Sequence, residues 1–302
     1  MTLTELRYIV AVAQTKNFGK AAQKCFVSQP TLSVAVKKLE EQLGVAIFER
    51  DKNSVRITEV GEGIVTQAQK VLEEADRIKV IANAGQDQLS QPLRVGAIYT
   101  VGPYLFPDLI PALKQAAPDL PLIIEENYTA RLSEKLHNGE LDAIIIALPF
   151  KEAGIKTEAL YDEKFDVVMP TDHKWKTKKA IQPEDFAGET VLLLGEGNCF
   201  RDEVIAACPA CAVPKQAQTQ AEKMLEGSSL ETIRYMVVNG LGVSVFPRSA
   251  ISEHCRSHKL ITVKPFAKPE PYRQIALAYR DSFPRPEAIE LLSTVIKTAN
   301  QR

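Results

Sequence analysis

The fold is decided by residues 28–43, Ser28-Gln-Pro-Thr-Leu-Ser-Val-Ala-Val-Lys-Lys-Leu-Glu-Glu-Gln-Leu43, because the two faces of a helix over this stretch differ. At about 100° per residue, the large aliphatic side chains fall on one face, and these are Leu32, Val36, Leu39 and Leu43. Ser28 is a suitable N-cap, and Pro30 fits the first turn, where no intrahelical donor is needed. The stretch therefore predicts a helix with one buried face and one small, polar and basic face that can enter a DNA groove.

Neighbouring segments complete a winged helix-turn-helix. Thr2-Leu-Thr-Glu5 is a capping box that predicts a first helix. Residues 19–25 predict a second, short helix, and a tight Phe26-Val27 link joins it to the third. The segments Val45-Ala-Ile-Phe48 and Val55-Arg-Ile57 flank the polar turn 50–54, which looks like a wing whose basic residues would lie on a phosphate backbone. An ordinary helical bundle with a solvated basic face is the alternative.

This arrangement predicts a DNA interface with two groups of contacts, because base edges and phosphates need different side chains. The base-edge group is Gln29, Pro30, Thr31 and Ser33, with Val34 on the same face. The phosphate group is Lys37, Arg50, Lys52 and Arg56. The charge distribution agrees with this placement. Residues 1–58 hold nine Lys or Arg against five Asp or Glu, whereas the whole chain has a net charge of -1.

Five short segments carry a resemblance to a known family. They are Phe18-Gly-Lys-Ala-Ala22, Val27-Ser-Gln-Pro-Thr-Leu-Ser33, Leu39-Glu-Glu-Gln-Leu-Gly44, Phe48-Glu-Arg50 and Thr58-Glu-Val-Gly61. In this order and spacing they resemble the LysR-type transcriptional regulators, and the resemblance extends over the whole chain. It implies a winged helix-turn-helix DNA-binding domain at 1–58, a linker and dimerisation helix with a hinge at 59–90, and a two-lobed α/β regulatory domain at 91–302, similar to periplasmic binding proteins.

Composition sets the broad class of the protein. The chain has 302 residues, of which 45% are hydrophobic, and no apolar run approaches the roughly 18 residues that span a membrane. Met1 leads directly into the capped first helix, so we expect no secretory leader, no membrane partner and a cytoplasmic location. The five cysteines are an odd number, which argues against a static disulfide framework. We also expect no metal and no cofactor.

Residues 58–88 predict one long linker helix. Its apolar residues recur at alternating spacings of four and three, which is a short heptad seam; they are Ile64, Ala68, Val71, Ala75, Ile78 and Ala82. Such a seam favours pairing between two subunits, and a single amphipathic helix lying on its own domain is the alternative. Residues 85–92 predict the hinge that ends it.

From Leu93 onward, apolar strands alternate with helices. Strands are predicted at 93–98, 122–126, 142–147, 167–169, 191–194, 243–246 and 275–279, and helices at 102–115, 130–138 and 229–239. This alternation implies an α/β domain with helices covering both faces of its sheets. The resemblance implies two lobes around a cleft, with crossovers near 162–167 and 266–270. Thr100, at the end of the first strand and before a helix, then lies at the cleft edge.

The second lobe contains Gly195-Glu-Gly-Asn-Cys-Phe-Arg-Asp202, followed by Cys208-Pro-Ala-Cys211. The glycines predict a tight loop that places Cys199 at a helix start with Arg201 nearby. Helix amides and a guanidinium favour the thiolate, which is the form that attacks a peroxide, so Cys199 is a candidate sensor. Across a helix, Cys199 and Cys208 would have Cα atoms about 13 Å apart, whereas a disulfide needs about 4.4–6.8 Å. Bond formation must therefore refold the segment.

Within the LysR-type family, this segment resembles the peroxide-sensing regulators. The resemblance implies that Cys199 is the peroxidatic residue and Cys208 the resolving one. The residues assigned to the peroxide pocket are Thr100, Thr129, Asn198, Arg201 and Arg273. Such regulators often carry His before the reactive cysteine, whereas Asn198 can form hydrogen bonds but cannot carry a proton at neutral pH.

We therefore predict a hydrogen-peroxide-sensing DNA-binding transcription regulator, switched by a reversible Cys199–Cys208 disulfide, and not an enzyme. It would act on double-stranded DNA as a homo-oligomer, a dimer of dimers by resemblance, with RNA polymerase as a further candidate partner. The alternative is a LysR-type regulator that is controlled by a small metabolite between the lobes. A thiol peroxidase is a third class, which the helix-turn-helix argues against.

Individual residues keep simpler alternatives. Cys211 could compete as a resolver or reshuffle the bond, and Cys25 and Cys255 are predicted to be small buried hydrophobes. Thr100 and Thr129 could merely cap helices. Zinc would find suitable atoms in the cysteines and His254, but their spacing matches no pair of ligand pairs.

Overall fold

The computed structural model describes residues 1–50, 55–82, 88–212, 227–251 and 261–300. Three helices open the chain: α1 (Leu3–Thr15), α2 (Phe18–Lys24) and α3 (Gln29–Leu43). Each of these helices has a side-chain cap that accepts a hydrogen bond from an N–H of its first turn. The capping residue is Thr2 for α1, Asn17 for α2 and Ser28 for α3. The aliphatic face of α3 is buried as predicted, except that Leu43 is 39% exposed because it lies at the open end of the helix.

The wing strands β1 (Phe48–Arg50) and β2 (Val55–Ile57) pair antiparallel, with Phe48 opposite Ile57. The Glu40 carboxylate accepts hydrogen bonds from the N–H groups of Ile47 and Phe48 at 2.8 and 3.0 Å, so the chain here is held by a side chain before strand pairing begins. The tip at 51–54, which includes Lys52, lies outside the described residues.

Helix α4 (Glu59–Ala82) follows the wing, and the Thr58 hydroxyl accepts the Gly61 N–H at 2.9 Å in its first turn. Residues 88 and 89 form a turn, so the helix predicted to reach 88 ends earlier. The predicted apolar seam on this helix is not uniformly exposed. Ala68 is buried in the core of the chain's own DNA-binding region, because the first half of α4 packs on α1. Farther along, Val71 and Ile78 are exposed, Ile78 by 68%.

The regulatory part contains eight further strands within the described residues. They are β3 (Leu93–Ile98), β4 (Leu122–Asn127), β5 (Ala143–Ala147), β6 (Ile155–Met169), β7 (Val191–Leu192), β8 (Val243–Pro247), β9 (Thr262–Pro265) and β10 (Tyr272–Arg280). Helices lie between and after them: α5 (Gly102–Ala116), α6 (Thr129–His137), α7 (Cys199–Ala207), α8 (Leu230–Val238) and α9 (Pro286–Ala299).

Strand β6 joins the two lobes. Residues 155–164 pair with β10 in the first lobe, and residues 165–169 pair with β8 and β9 in the second. The hydrogen-bonded order is β4-β3-β5-β10-β6-β8-β7, with β9 paired to β6 off this path. The two predicted crossovers are confirmed, because the chain changes lobe after Lys164 and again between β9 and β10. The first half of β6 was missed because charged residues interrupt its apolar pattern.

Each lobe has its own hydrophobic core. The first core contains β3, β5 and β10 with α5, α6 and α9 around them, and the second surrounds Phe165 and Phe246. Phe200 and Val204 of α7 are buried in the second core. The predicted two-lobed α/β regulatory domain behind a winged helix-turn-helix is confirmed. Of the helices in the described ranges, none has the length and apolarity that crossing a membrane requires.

Candidate functional site

A small pocket lies where three strand-to-helix loops meet. It is lined by Ile98, Tyr99, Thr100, Asn127, Tyr128, Thr129, Gly197, Asn198 and Cys199. The space open to the centre of a water-sized molecule is about 10 Å³, which is roughly what one bound water needs. Parallel strands β3 and β4 end here, and β5 pairs with the other side of β3. The pocket therefore occupies the carboxyl-end crevice at which ligands bind in open α/β sheets.

Three helices begin at this pocket without a side-chain cap. Their N-cap residues are Val101 for α5, Tyr128 for α6 and Asn198 for α7, and within the described chain none of these side chains accepts a capping hydrogen bond. The first turn of a helix carries N–H groups without intrahelical partners and the positive end of the helix dipole. The pocket is therefore a place where negative charge is stabilised.

Cys199 is the first residue of α7 and is half-buried at this pocket. Burial raises the pKa of its thiol above the ordinary value, and the Glu203 carboxylate raises this pKa further. The Thr129 hydroxyl and the Phe200 N–H donate hydrogen bonds to the sulfur and lower the pKa, as does the charge of Arg273. The net direction is upward, because desolvation outweighs the contacts that favour the thiolate.

Arg273, from β10, places a buried cation beside this pocket. Its side chain is 1% exposed. Its Nε donates to Glu163 at 2.7 Å, and its Nη1 and Nη2 donate to the Thr100 hydroxyl and carbonyl at 2.9 and 3.0 Å. The guanidinium lies 4.8 Å from the centre of the Phe200 ring. These contacts fix the pocket wall at Thr100 and hold a positive charge near Cys199.

Glu203 is a site residue that the sequence analysis missed. It lies on α7 four residues after Cys199, and its Oε2 is 3.6 Å from Nη1 of Arg273. Within the described residues this buried oxygen has no hydrogen-bond partner. Burial raises the pKa of Glu203, Arg273 lowers it, and Glu163 raises it, with a net upward direction. The i, i+4 spacing from Cys199 was the available signal, because such residues share a helix face.

Arg201 was predicted to lie in the pocket with Cys199, but it does not line the pocket. Its Nη1 donates to the Leu194 carbonyl at 2.7 Å, and it is not among the pocket-lining residues. Residues two apart on a helix point in different directions, so Arg201 cannot share the face of Cys199. Arg273 is a cation whose charge lowers the pKa of Cys199.

Three of the five residues predicted for the pocket, Thr100, Thr129 and Asn198, line it. Thr100 and Thr129 line its wall, and neither is the N-cap of the helix that follows. Asn198 is 6% exposed, and its side-chain NH2 donates to the Gly195 carbonyl at 3.0 Å, which closes the loop before Cys199. That these groups bind peroxide stays a prediction.

The remaining cysteines lie in different settings. Cys208 ends α7 and is fully buried, and its Sγ is 2.7 Å from Sγ of Cys211, which is 6% exposed. Since residues 199–207 are helical, the rise of the helix separates Cys199 from Cys208 by about 13 Å. Cys25 is half-buried at the end of α2, where burial raises the pKa of its thiol. Cys255 and His254 lie outside the described residues.

The predicted DNA-contacting face of α3 is open to solvent. Gln29, Pro30, Thr31 and Val34 are exposed, Val34 by 67%, and Ser33 is half-buried. Lys37 is also exposed, and its Nζ is 3.7 Å from Glu41. Arg56 is exposed on β2, whereas the structure describes only the backbone of Arg50. Phe26, before α3, is 95% exposed and had been given no contact role.

Comparisons with known proteins agree over the full chain. One family model, the bacterial regulatory helix-turn-helix protein of the lysR family, matches residues 3–62, and the LysR substrate binding domain matches residues 86–301. The DNA-binding transcriptional dual regulator OxyR of Escherichia coli (strain K12) is 36% identical over 297 residues, which is 98% of this chain and 95% of that protein.

Solved structures give the same result. Full-length OxyR from Pseudomonas aeruginosa, with one cysteine replaced by aspartate, is 58% identical with a TM-score of 0.86, over 98% of this chain and 95% of that one. A cysteine-to-serine mutant of OxyR from Corynebacterium glutamicum, bound to hydrogen peroxide, is 33% identical with a TM-score of 0.65, over 99% of this chain and 92% of that one. The chain therefore belongs to the LysR family of bacterial helix-turn-helix regulatory proteins.

Proposed function

We propose that this protein is a hydrogen-peroxide-responsive transcription regulator with Cys199 as its sensor. The observation that carries the proposal is the position of Cys199, at an uncapped helix start facing a pocket with about 10 Å³ of open space. Metabolite sites enclose roughly 300–1,000 Å³, so this pocket admits only a very small ligand. Relatives that are named OxyR, one of them with hydrogen peroxide bound, support the assignment.

The pocket groups suit attack of a thiolate on a peroxide. The Cys199 sulfur takes one oxygen, the O–O bond breaks, and the departing hydroxide takes a proton to leave as water. The charge that develops on that oxygen would be stabilised by the Thr100 and Thr129 hydroxyls, by first-turn N–H groups and by the buried Arg273 cation. The resulting sulfenic acid condenses with the Cys208 thiol, which forms the disulfide and releases a second water.

The switch follows from the geometry of α7. The Cys199–Cys208 bond cannot span the length of an intact helix, so oxidation must unwind it. Phe200 and Val204 would then lose their places in the core of the second lobe. Such a rearrangement would alter the surfaces by which subunits pack, which is a known way to carry a signal between sites.

The same proposal assigns the partners. The exposed face of α3 and the basic wing would bind double-stranded DNA, and we place the protein in the cytoplasm, where its DNA target lies. Val71 and Ile78 leave an apolar stripe on α4 exposed, which favours a homo-oligomer. We propose a dimer of dimers that contacts RNA polymerase when it activates transcription.

Thiol mapping of the full-length protein tests the proposal. The reduced protein receives a sub-stoichiometric pulse of hydrogen peroxide, free thiols are alkylated, and disulfides are identified by mass spectrometry alongside DNA footprinting. We expect a Cys199–Cys208 link and an altered footprint in the wild type. Cys199→Ser should give neither, and Cys208→Ser should accumulate sulfenic acid or a bond to Cys211. The matched control, Cys25→Ser, should behave as the wild type. If Cys199→Ser retains the peroxide response, Cys199 is not the sensor.

Control by a metabolite is the second candidate, and one observation favours it. A larger pocket of about 540 Å³ on the second lobe is lined by Asp166, Arg248, Ile261, Val263 and Pro265. Its two charged groups are already paired with each other, Nη2 of Arg248 being 2.7 Å from Asp166, so they offer little to a ligand. If metabolites shift the DNA affinity of the Cys199→Ser variant while peroxide leaves the wild type unchanged, this second candidate replaces the first.

A further inference from the structure

Cys208 and Cys211 form a second pair of thiols, separate from the pocket at Cys199. Their Sγ atoms are 2.7 Å apart, and the side chains are 0% and 6% exposed, respectively. A 3-10 turn over Pro209–Ala212 holds them, with the Cys211 N–H donating to the Cys208 carbonyl at 2.9 Å. The two sulfurs are therefore in direct contact inside the second lobe.

This pair differs from Cys199 and Cys208 in what a disulfide would require. Turn residues three apart have Cα atoms within about 7 Å, and a disulfide needs about 4.4–6.8 Å. The Cys208–Cys211 bond can therefore close with α7 intact, whereas the Cys199–Cys208 bond cannot. Because the two partners are so near in sequence, they also stay close when α7 unwinds.

We propose that Cys208 and Cys211 are a second redox site, which takes over the oxidation from Cys199 by thiol–disulfide exchange. The inference rests on the proposed function for its oxidant, hydrogen peroxide, and for the first disulfide. In the exchange, the Cys211 thiolate attacks Sγ of Cys208. The Cys208–Cys211 bond forms, the Cys199–Cys208 bond breaks, and Cys199 leaves as a thiolate that takes up the proton lost by Cys211. In total, one peroxide and the thiols of Cys208 and Cys211 give one disulfide and two waters.

The electrostatics of the pair suit this order of events. The Cys211 thiol donates to the Cys208 sulfur, and this contact lowers the pKa of Cys208, while the same contact raises the pKa of Cys211. Cys208 is therefore the better nucleophile in the first step, toward the sulfenic acid at Cys199. Once Cys208 is in a disulfide, its sulfur can no longer ionise, so Cys211 loses the partner that raised its pKa.

The exchange has a consequence for the switch. Once the oxidation has moved to Cys208 and Cys211, nothing covalent keeps α7 unwound, and Cys199 is again a free thiol at the pocket. The regulator would return toward its reduced shape without an external reductant. The protein would still differ from its fully reduced form, because Cys208 can no longer resolve a second sulfenic acid at Cys199.

Tryptic mapping separates the two bonds. Cleavage after Lys179, Arg201 and Lys215 leaves Cys199 in peptide 180–201 and both other cysteines in peptide 202–215. The Cys199–Cys208 bond then links two peptides, whereas the Cys208–Cys211 bond lowers the mass of one peptide by two hydrogens. Reduced full-length protein receives one equivalent of peroxide, which is then removed, and samples are alkylated over time without reductant.

We expect the interpeptide link of the wild type to rise and then fall, while the intrapeptide bond grows and Cys199 again becomes open to alkylation. In Cys211→Ser and Cys211→Ala, the interpeptide link should persist, and in the control Cys25→Ser the exchange should proceed. A second peroxide pulse should leave sulfenic acid at Cys199, trapped by dimedone, several-fold more in the wild type than in either Cys211 variant.

The outcomes distinguish this proposal from the proposed function. A wild-type interpeptide link that persists as in Cys211→Ser, with Cys211 free throughout, overturns the exchange and leaves the sensor role of Cys199 standing. An intrapeptide bond that forms equally fast in Cys199→Ser shows that oxidation does not enter through Cys199, which overturns both. If neither bond forms in the wild type, both proposals are overturned.

Discussion

The DNA-binding region and the pocket begin their helices in opposite ways. Each helix from α1 to α4 has a side-chain oxygen, from Thr2, Asn17, Ser28 or Thr58, that accepts a hydrogen bond from a first-turn N–H. The three helices that begin at the pocket, α5, α6 and α7, have no such side-chain cap in the described chain. A side-chain cap provides a hydrogen-bond acceptor for a first-turn N–H group. Without such a cap, the first-turn N–H groups can donate to another acceptor, such as a ligand.

The difference in capping separates a helix that is fixed by its own ends, α3, from a helix that depends on tertiary packing, α7. In α3 the cap, Pro30 and the terminal Gly44 define both ends, so its exposed face can be presented to DNA as a rigid surface. Helix α7 is held mainly by Phe200 and Val204, which are buried in the second lobe. A helix that depends on tertiary packing can unwind when a competing covalent bond forms.

The largest effect is expected from a charge on the exposed face of α3. Ser33→Glu would place a carboxylate against phosphates and base edges, and like-charge contacts cost several kcal/mol. We expect DNA affinity to fall by about 100-fold on all sequences, measured by fluorescence anisotropy at fixed salt, since about 1.4 kcal/mol is tenfold. The control is Gln42→Glu, which adds the same charge on the opposite face of α3. Equal loss in both variants would mean that net charge, and not this face, controls binding.

The next effect concerns the hydroxyl that contacts the sulfur. Thr129→Val keeps the shape of the side chain but removes the hydrogen bond that lowers the pKa of Cys199. Its pKa should rise, so the rate–pH profile should move to higher pH, and the reaction with peroxide should be about tenfold slower or more at neutral pH, since a hydrogen bond to a charged group is worth roughly 1.5–3 kcal/mol. Stopped-flow kinetics measure this. The exposed Thr157→Val is the control, and an unmoved profile in Thr129→Val would remove Thr129 from the chemistry.

A smaller effect is expected at the cap of α3. Ser28→Ala removes the acceptor for the Thr31 N–H, which should destabilise the start of the helix by about 1 kcal/mol. Amide exchange in the first turn of α3 should become roughly fivefold faster, and the reaction of Cys199 with peroxide should not change. Ser28→Asn keeps a capping oxygen and should restore protection. Unchanged exchange in Ser28→Ala would show that packing, and not the cap, fixes this end of the helix.

The smallest effect concerns Glu203. Its carboxylate raises the pKa of Cys199, so Glu203→Gln removes a like charge and should lower that pKa. A lower pKa means a larger thiolate fraction at neutral pH, so the peroxide reaction should become a few-fold faster there, with no gain at pH values above both pKa values. A pH titration of the thiolate absorbance checks the direction. A rise in the Cys199 pKa would instead mean that Glu203 mainly keeps Arg273 in place.

The sequence determined most of the local structure. The capping residues, Pro30 and the apolar spacing of α3 predicted the helix-turn-helix, and the alternation of strands and helices predicted an α/β domain. The loop glycines before Cys199 gave the start of α7 correctly. These features depend on neighbours in the chain, and local propensity and periodicity report such neighbours directly.

Only the tertiary structure decided the electrostatics of the site. Arg273 reaches Thr100 and Glu163 from β10, far away in sequence, and no local pattern distinguishes it from Arg201 as the cation near Cys199. The direction of the Cys199 pKa depends on how fully the folded chain removes water from the sulfur, which the spacing of residues does not reveal. The same holds for Ala68 on α4, whose periodicity fits an intersubunit seam but whose burial is set by packing on α1. Periodicity shows that a face is apolar, and only the folded chain shows which surface covers it.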